Sequence, residues 1–139
     1  MSGIFGPFLT MALLTFAVWA YMYFLRIRFM LAAKVHPQSV TTPEKMAAIV
    51  PEAVSNPANN LKNLFELPVL FYAMCLYLYV SDGVDTIYLV AAWLFVGFRI
   101  LHSFVHCTSN AVMTRFRFYV ASSCALWFMI LRALMHSVI

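Results

Sequence analysis

The sequence predicts an all-α integral membrane protein built as a bundle of four helices. Of its 139 residues, 64% are hydrophobic and only 10% are charged, whereas about 25% of the residues of a soluble domain carry a charge. Four apolar segments are each close to the roughly 20 residues that a helix needs to cross the hydrocarbon core of a bilayer. They cover about residues 4–25, 64–80, 86–105 and 118–138. Little of the chain remains for a soluble domain, so we expect one membrane domain over residues 1–139.

The basic residues predict how this bundle is oriented. All but one of the nine Lys and Arg residues flank two connections on one side of the bilayer, namely Arg26, Arg28, Lys34, Lys45, Lys62, Arg99, Arg115 and Arg117. An excess of Lys and Arg marks cytoplasmic loops, so both termini are predicted to lie on the non-cytoplasmic side. The net charge of +4 therefore indicates topology and not binding of nucleic acid. We expect a multi-pass protein, located in the inner membrane if the cell is bacterial.

The predicted helices cover about residues 5–33, 57–80, 85–106 and 111–137, with a cytoplasmic connection over 34–56. In the second helix, Asn56 is expected to cap the start and Pro57 to occupy the first position. Pro68, just after Glu66, is expected to bend the axis. Asp85 is expected to cap the third helix after a short turn, which makes the second and third helices an antiparallel hairpin.

The long connection is predicted to contain one short helix. Thr41 or Thr42 is expected to cap it, with Pro43 at its first position and Glu44 completing a capping box. The helix should end before Pro51. The connection is either a lid over the cytoplasmic mouth of the bundle or a spacer.

Three of the predicted helices carry polar stripes at their cytoplasmic ends. Polar groups that face lipid are costly, so these stripes are expected to face one another or the stripes of a neighbouring subunit. The helical spacing of three or four residues relates Asn63 to Glu66, Arg99 to His102 and Arg115 to Tyr119. The predicted result is a cation-rich cavity lined by Arg26, Lys62, Asn63, Glu66, Arg99, His102, Arg115 and Tyr119.

Two other interpretations of these polar residues are possible besides a site for an anionic ligand. Glu66 paired with Arg99 or Arg115 would form an ion-pair lattice that fixes helix register without any ligand. His102 and His106, with Glu66, would imitate a site of two histidines and a carboxylate for a metal. The arginines would repel a metal cation, so no metal is predicted, and the excess of cations favours an anionic ligand.

The motifs in these helices resemble those of the MAPEG family, membrane-associated proteins in eicosanoid and glutathione metabolism. They are Asn63-Leu64-Phe65-Glu66 followed by Pro68, Arg99-Ile100-Leu101-His102, and Arg115 with Tyr119 four residues later. The N-x-x-E element alone is weak, but its combination with R-x-x-H and R-x-x-x-Y in the right helices is fairly specific. The resemblance covers about residues 8–134.

This resemblance implies a homotrimer that binds glutathione, as cosubstrate, in a cleft between neighbouring subunits near the cytoplasmic side. It implies that Asn63 and Glu66 hold the backbone and the free amine of the peptide. The expected partners of its carboxylates are Arg26, Lys62 and Arg99. His102 stands where the family often has a further polar partner for the ligand.

The resemblance also implies a catalytic pair and an activity. Arg115 matches the arginine that stabilises the glutathione thiolate, and Tyr119 lies one turn further on the same face. The expected activity is that of a glutathione-dependent transferase or peroxidase, which acts in detoxification on lipophilic electrophiles arriving from the bilayer. The alternative is a non-catalytic member that binds lipid or a partner on the same bundle, and the presence of Arg115 favours the enzyme.

Overall fold

The computed structural model describes residues 2–138, and over that range the chain is helical and contains no strand. Four helical stretches in it are long and apolar enough to cross a membrane: Phe5–Ala32, Glu52–Val80, Thr86–Cys107 and Val112–Ser137. The predicted all-α class and the four predicted spans are therefore confirmed. The protein is an integral, multi-pass membrane protein.

Six α-helices follow one another over residues 2–138. They are α1 (Phe5–Ala32), α2 (Pro43–Ile49), α3 (Glu52–Leu64), α4 (Leu67–Val80), α5 (Thr86–Cys107) and α6 (Val112–Val138). The second predicted span consists of α3 and α4 in succession. The bounds of α1, α5 and α6 lie within one residue of the predicted ones.

The helix α5 lies inside the bundle and packs against α1, α3 and α6. The rings of Phe71 on α4 and Phe95 on α5 are both fully buried and stack with their centroids 4.4 Å apart. The helix α1 buries only four residues, and large apolar side chains such as Leu13 and Phe16 are more than 60% exposed. Apolar surface of this extent suits contact with lipid or with another subunit.

The short helix α2 begins as predicted, but its cap differs in one detail. The Thr42 hydroxyl accepts a hydrogen bond of 3.3 Å from the Lys45 backbone, and Pro43 is the first helical residue. The predicted capping box is wrong because Glu44 is the second helical residue, whereas the motif needs its acid at the third. The Glu44 carboxylate instead interacts with its own backbone N–H and with the Thr42 side chain, which hold its pKa below the usual range.

The helix α3 starts five residues earlier than predicted, at Glu52, which directly follows Pro51. Pro57 was expected at the first position but lies inside the helix. Its missing N–H costs only one hydrogen bond, close to the helix start. Asn56 does not cap the helix, because its side-chain oxygen accepts a hydrogen bond of 3.2 Å from Asn110 instead.

The second span is interrupted between α3 and α4. The Glu66 backbone, at φ −95° and ψ −106°, is not helical, and Pro68 is among the first residues of α4. Proline has no N–H with which to bond the carbonyl of Leu64, and its ring crowds that carbonyl, so Pro68 favours a break at this point. A break between α3 and α4 thus coincides with the position of the predicted bend.

At the end of the bundle where α5 begins, Asp85 connects α5 to α6. Asp85 caps α5 as predicted, accepting a hydrogen bond of 2.9 Å from the Tyr88 backbone. Its carboxylate also receives two hydrogen bonds, of 2.9 and 2.5 Å, from Arg132 on α6. The Arg132 guanidinium lies 4.2 Å from the centroid of the Tyr88 ring. These contacts fasten α6 to the beginning of α5.

Candidate functional site

The helix α3 presents a stripe of asparagines to α5. Asn56 and Asn60 are buried and Asn63 is half-buried, because their spacing of four and three residues puts them on one face. Asn60 accepts a hydrogen bond of 3.4 Å from the Ser103 hydroxyl and donates one of 3.6 Å to the Cys107 sulfur. The stripe therefore fixes the position of α3 along α5.

Arg99 extends this stripe with a buried cation. Its side chain is fully buried, and Nη2 donates a hydrogen bond of 2.5 Å to the main-chain oxygen of Asn63. The guanidinium carbon lies 5.2 Å from the centroid of the Tyr119 ring. Its Nε and Nη1 atoms have no hydrogen-bond partner, and no carboxylate of residues 2–138 lies within 4.0 Å of it. A buried charge is costly unless an opposite charge accompanies it.

His102 connects α5 to the start of α6. Its Nδ1 atom lies 2.7 Å from the main-chain oxygen of Arg115. A carbonyl oxygen only accepts, so Nδ1 carries a proton, and in the neutral imidazole Nε2 is an acceptor. That Nε2 atom is buried and has no partner in the described part of the chain. The His102 and Tyr119 rings lie 5.8 Å apart between centroids.

Arg115 and Tyr119 lie one turn apart on the same face of α6, and both are half-buried. The Arg115 Nη1 atom donates a hydrogen bond to the side-chain oxygen of Asn110 in the preceding turn. This partner is a neutral amide, and no carboxylate of residues 2–138 lies within 4.0 Å of the Arg115 side chain. Five of the predicted residues thus form one group, the polar cluster, which consists of Asn63, Arg99, His102, Arg115 and Tyr119.

The remaining three predicted residues lie outside the polar cluster. Arg26 and Lys62 line a cavity of 780 Å³ between α1, the connection and α3. Neighbouring residues of a helix point about 100° apart, which is why Lys62 diverges from Asn63. Glu66, at the break after α3, is exposed. Within a single chain, therefore, the eight predicted residues do not surround one cavity.

Neither competing reading finds support in this geometry. Among residues 2–138, Glu66 forms no ion pair with Arg99 or Arg115, so the alternative of an ion-pair lattice is not formed within the chain. The rings of His102 and His106 are perpendicular, with centroids 5.6 Å apart. The described residues contain no group of three His, Cys, Asp or Glu side chains placed to hold a metal ion.

A family model described as the MAPEG family matches residues 4–135, nearly the whole chain. The chain belongs to the MAPEG family. The resemblance deduced from the motifs is thereby confirmed, and the matched segment contains all eight predicted residues. No curated protein and no solved structure matches the chain.

Membership in the MAPEG family narrows the chemistry of this site. The family includes glutathione transferases and peroxidases as well as other members, and its members typically use glutathione. In this MAPEG chain the polar cluster offers the guanidinium groups of Arg99 and Arg115, the Tyr119 phenol and the His102 Nε2 acceptor. Such a set can bind an anion and can stabilise negative charge on a sulfur atom.

The contacts of Asn110 in this MAPEG protein were not predicted from the sequence. Asn110 donates hydrogen bonds of 2.8 Å to Glu52 and 3.2 Å to Asn56, while its oxygen accepts from Arg115. An asparagine in a short turn after a helix is a recognisable signal for a left-handed backbone conformation. Nothing in the local spacing indicates that its side chain bridges α3 and α6.

Proposed function

We propose that the protein is a glutathione-dependent transferase or peroxidase that acts on lipophilic electrophiles, with Arg115 and Tyr119 at the reacting thiol. One observation carries this proposal. Arg99 is fully buried with no carboxylate of residues 2–138 within 4.0 Å, and the hydrogen-bond partner of the Arg115 side chain is a neutral amide. Two guanidinium groups without a carboxylate in direct contact, in a MAPEG protein, favour an anionic thiol as the ligand.

The charges of glutathione fit this set of side chains. The tripeptide carries two carboxylates, one ammonium group and one thiol. We assign the carboxylates to Arg99, Arg26 and Lys62, which supply the excess of positive charge. Asn63 and Glu66 bind the peptide backbone and the ammonium group. His102 accepts a hydrogen bond through Nε2, its free ring nitrogen.

The separation of these residues within one chain supports a site between subunits. Arg26 and Lys62 line a cavity on the α1 side of α3, whereas the polar cluster lies between α3, α5 and α6. A neighbouring copy can present its Arg26 and Lys62 to the polar cluster. We therefore propose a homotrimer with a glutathione cleft at each subunit boundary, on the cytoplasmic side, with both termini on the other side.

The proposed chemistry begins with the loss of the thiol proton to water. The pKa of a free thiol is about 8.5, so little thiolate exists at pH 7. The Arg115 guanidinium lowers that pKa, since it is permanently charged and donates through a fork of N–H groups. The thiolate sulfur then bonds to the electrophilic carbon, and the leaving group departs with the bonding electrons.

With a hydroperoxide as substrate, the same thiolate attacks the peroxide oxygen. Two glutathione molecules together supply two electrons and two protons, and the products are glutathione disulfide, an alcohol and water. In both cases the apolar substrate comes from the bilayer, and the polar cosubstrate comes from the aqueous side. Entry of the two substrates from different phases is consistent with a role in detoxification.

The test measures thiolate formation by ultraviolet absorbance when glutathione is added to the purified protein. The parent protein and Arg117→Ala, a control at an exposed basic residue two positions away, should form thiolate. Arg115→Ala should form about tenfold less at neutral pH, because one pKa unit corresponds to a tenfold change in ionisation. If the parent forms no thiolate and turns over no electrophile, the protein is the non-catalytic, lipid- or partner-binding alternative.

A complementation experiment tests the cleft between subunits. Lys62→Gln and Arg115→Ala chains are each expected to be much less active than the parent when expressed alone. When they are co-expressed, a mixed trimer contains boundaries at which one chain supplies Lys62 and its neighbour supplies Arg115. Activity should then return. A mixed protein that stays inactive would place both residues in a site within one subunit.

A further inference from the structure

The turn between α5 and α6 holds one asparagine in an unusual backbone conformation. Asn110 has φ of 51°, in the left-handed region that asparagine tolerates better than most residues. Its N–H donates a hydrogen bond of 2.8 Å to the carbonyl of Val105, which closes the end of α5. The turn thereby brings the Asn110 side chain between α3 and α6.

The contacts of Asn110 fix the orientation of its amide. The nitrogen donates to two oxygen atoms of α3, at 2.8 Å to Glu52 and at 3.2 Å to Asn56. Because carboxylate oxygens only accept, the nitrogen must face Glu52, and the amide oxygen must face the other way. That oxygen accepts the hydrogen bond from Arg115.

The amide also separates a carboxylate from a guanidinium. Glu52 bonds to the Asn110 nitrogen and does not come within 4.0 Å of Arg115. An amide oxygen holds the guanidinium in place but leaves its charge uncompensated. A carboxylate at the same place would compete with any anionic ligand, since hydrogen bonds between ionised partners are roughly twice as strong as neutral ones.

We propose that Asn110 is a positioning residue that holds the Arg115 guanidinium toward the glutathione thiol while leaving its charge available. This inference rests on the function proposed above. Arg115 is held at two points, since His102 bonds its main-chain oxygen and Asn110 bonds the end of its side chain. Asn56 is buried and, with Glu52, anchors Asn110 to α3.

Two substitutions distinguish the effect of the Asn110 amide from the effect of the backbone turn. Asn110→Gly removes the amide, and glycine adopts positive φ without strain. Asn110→Asp keeps the size and the turn but places a carboxylate against both Glu52 and Arg115. The matched control is Asp82→Gly, which changes another left-handed residue, of φ 54°, at the opposite end of the bundle.

The full-length protein is titrated with pH in the presence of glutathione, and thiolate absorbance gives the pKa of the bound thiol. Both Asn110 variants should raise that pKa by about one unit, or about tenfold less thiolate at a pH below both values. Affinity for S-methylglutathione, which cannot form a thiolate, should change by less than about threefold, well under the 1.4 kcal/mol of a tenfold change. Asp82→Gly should match the parent in both measurements.

The outcomes distinguish this inference from the proposed function. If the parent forms thiolate and both Asn110 variants form as much, the positioning role is wrong while the proposed function stands. If the variants lose S-methylglutathione affinity as strongly as thiolate, Asn110 acts on binding or folding, and the positioning role is also wrong. A parent without thiolate contradicts the proposed function itself, and the positioning role with it. If Asn110→Gly does not fold, Asn110→Asp alone decides.

Discussion

Arg99 on α5 donates a hydrogen bond of 2.5 Å to the main-chain oxygen of Asn63, the penultimate residue of α3. The last four carbonyls of a helix have no partner within it, and a cation near them is favoured by the helix dipole. Arg99 therefore also caps the C-terminus of α3, directly before the break that leads to Glu66. One side chain thus caps α3 and supplies charge to the polar cluster.

Replacing Arg99 should weaken ligand binding while leaving the stability of the fold nearly unchanged. In Arg99→Met, removal of a buried, unpaired charge offsets the loss of the hydrogen bond to Asn63. We expect the free energy of unfolding to change by about 1 kcal/mol or less. Affinity for S-methylglutathione should fall by at least about tenfold, or 1.4 kcal/mol. Thermal unfolding and calorimetric titration measure the two effects, with the exposed Arg117→Met as control. Unchanged affinity would remove Arg99 from the proposed site.

Pro68→Ala should make α3 and α4 one continuous helix. An alanine N–H can bond the carbonyl of Leu64, so the helix is expected to continue through Glu66 and to move that side chain around the axis. Amide hydrogen exchange at residues 66–69 should slow, and glutathione affinity should fall. Pro57→Ala, in the uninterrupted part of α3, serves as control and should leave exchange at Glu66 unchanged. Parent-like exchange at residues 66–69 in Pro68→Ala would mean that another constraint causes the break.

The Asp85–Arg132 pair should give a stability contribution that depends on acid pH. The hydrogen bond from Arg132 lowers the pKa of Asp85 from 3.8 to about 2. A carboxyl group with a depressed pKa stabilises the fold above its unfolded pKa and loses that effect as pH falls through the folded value. The contribution should thus be complete above about pH 5 and vanish between about pH 4 and pH 2. The Asp85 side chain is 45% exposed, so screening by solvent limits the effect to about 1 kcal/mol.

Asp85→Asn isolates this charge, because asparagine caps a helix as well as aspartate does. The melting temperature of the variant should lie below that of the parent at pH 6 and coincide with it near pH 2. Asp82→Asn, in the adjacent turn, is the control and should follow the parent throughout. A difference between Asp85→Asn and the parent that persists at pH 2 would show that shape, and not charge, stabilises this end.

Thr42→Ala should loosen α2 alone. The Thr42 hydroxyl caps a helix of only seven residues, and loss of such a cap costs about 1 kcal/mol. Amide exchange in residues 43–49 should accelerate by about fivefold, the factor that corresponds to 1 kcal/mol. Thr41→Ala is the matched neighbour and should have a smaller effect. Equal effects of the two substitutions would contradict the assignment of the cap to Thr42.

Much of the fold follows from local signals in the chain. The spans are set by runs of apolar residues, the start of α2 by Thr42 and Pro43, and the start of α5 by Asp85. The start of α3 does not follow, because Asn56 and Pro57 carry a strong local signal for a helix start. A contact distant in sequence, from Asn110 to Asn56, overrides that signal. Local propensity is a weak guide where such contacts exist.

Part of the candidate site could likewise be predicted from the sequence, and part could not. Helical spacing correctly relates Arg99 to His102 and Arg115 to Tyr119, since each pair shares a face of one helix. Spacing cannot show that Lys62 turns away from Asn63 toward a different cavity, nor that Glu66 is exposed at a break. Those placements depend on how α3 is rotated against α5 and α1, which only the packing of whole helices determines.

The asparagines that α3 buries against α5 and the α5–α6 turn have a consequence for motion. Sliding α3 by a single position would break the bonds of Asn56 and Asn60 together and strand their amides in an apolar interior. These bonds favour movement of α3, α5 and the α5–α6 turn as one block. A movement that spares these bonds would occur on the other flank, where α1 and α2 border a cavity of 780 Å³.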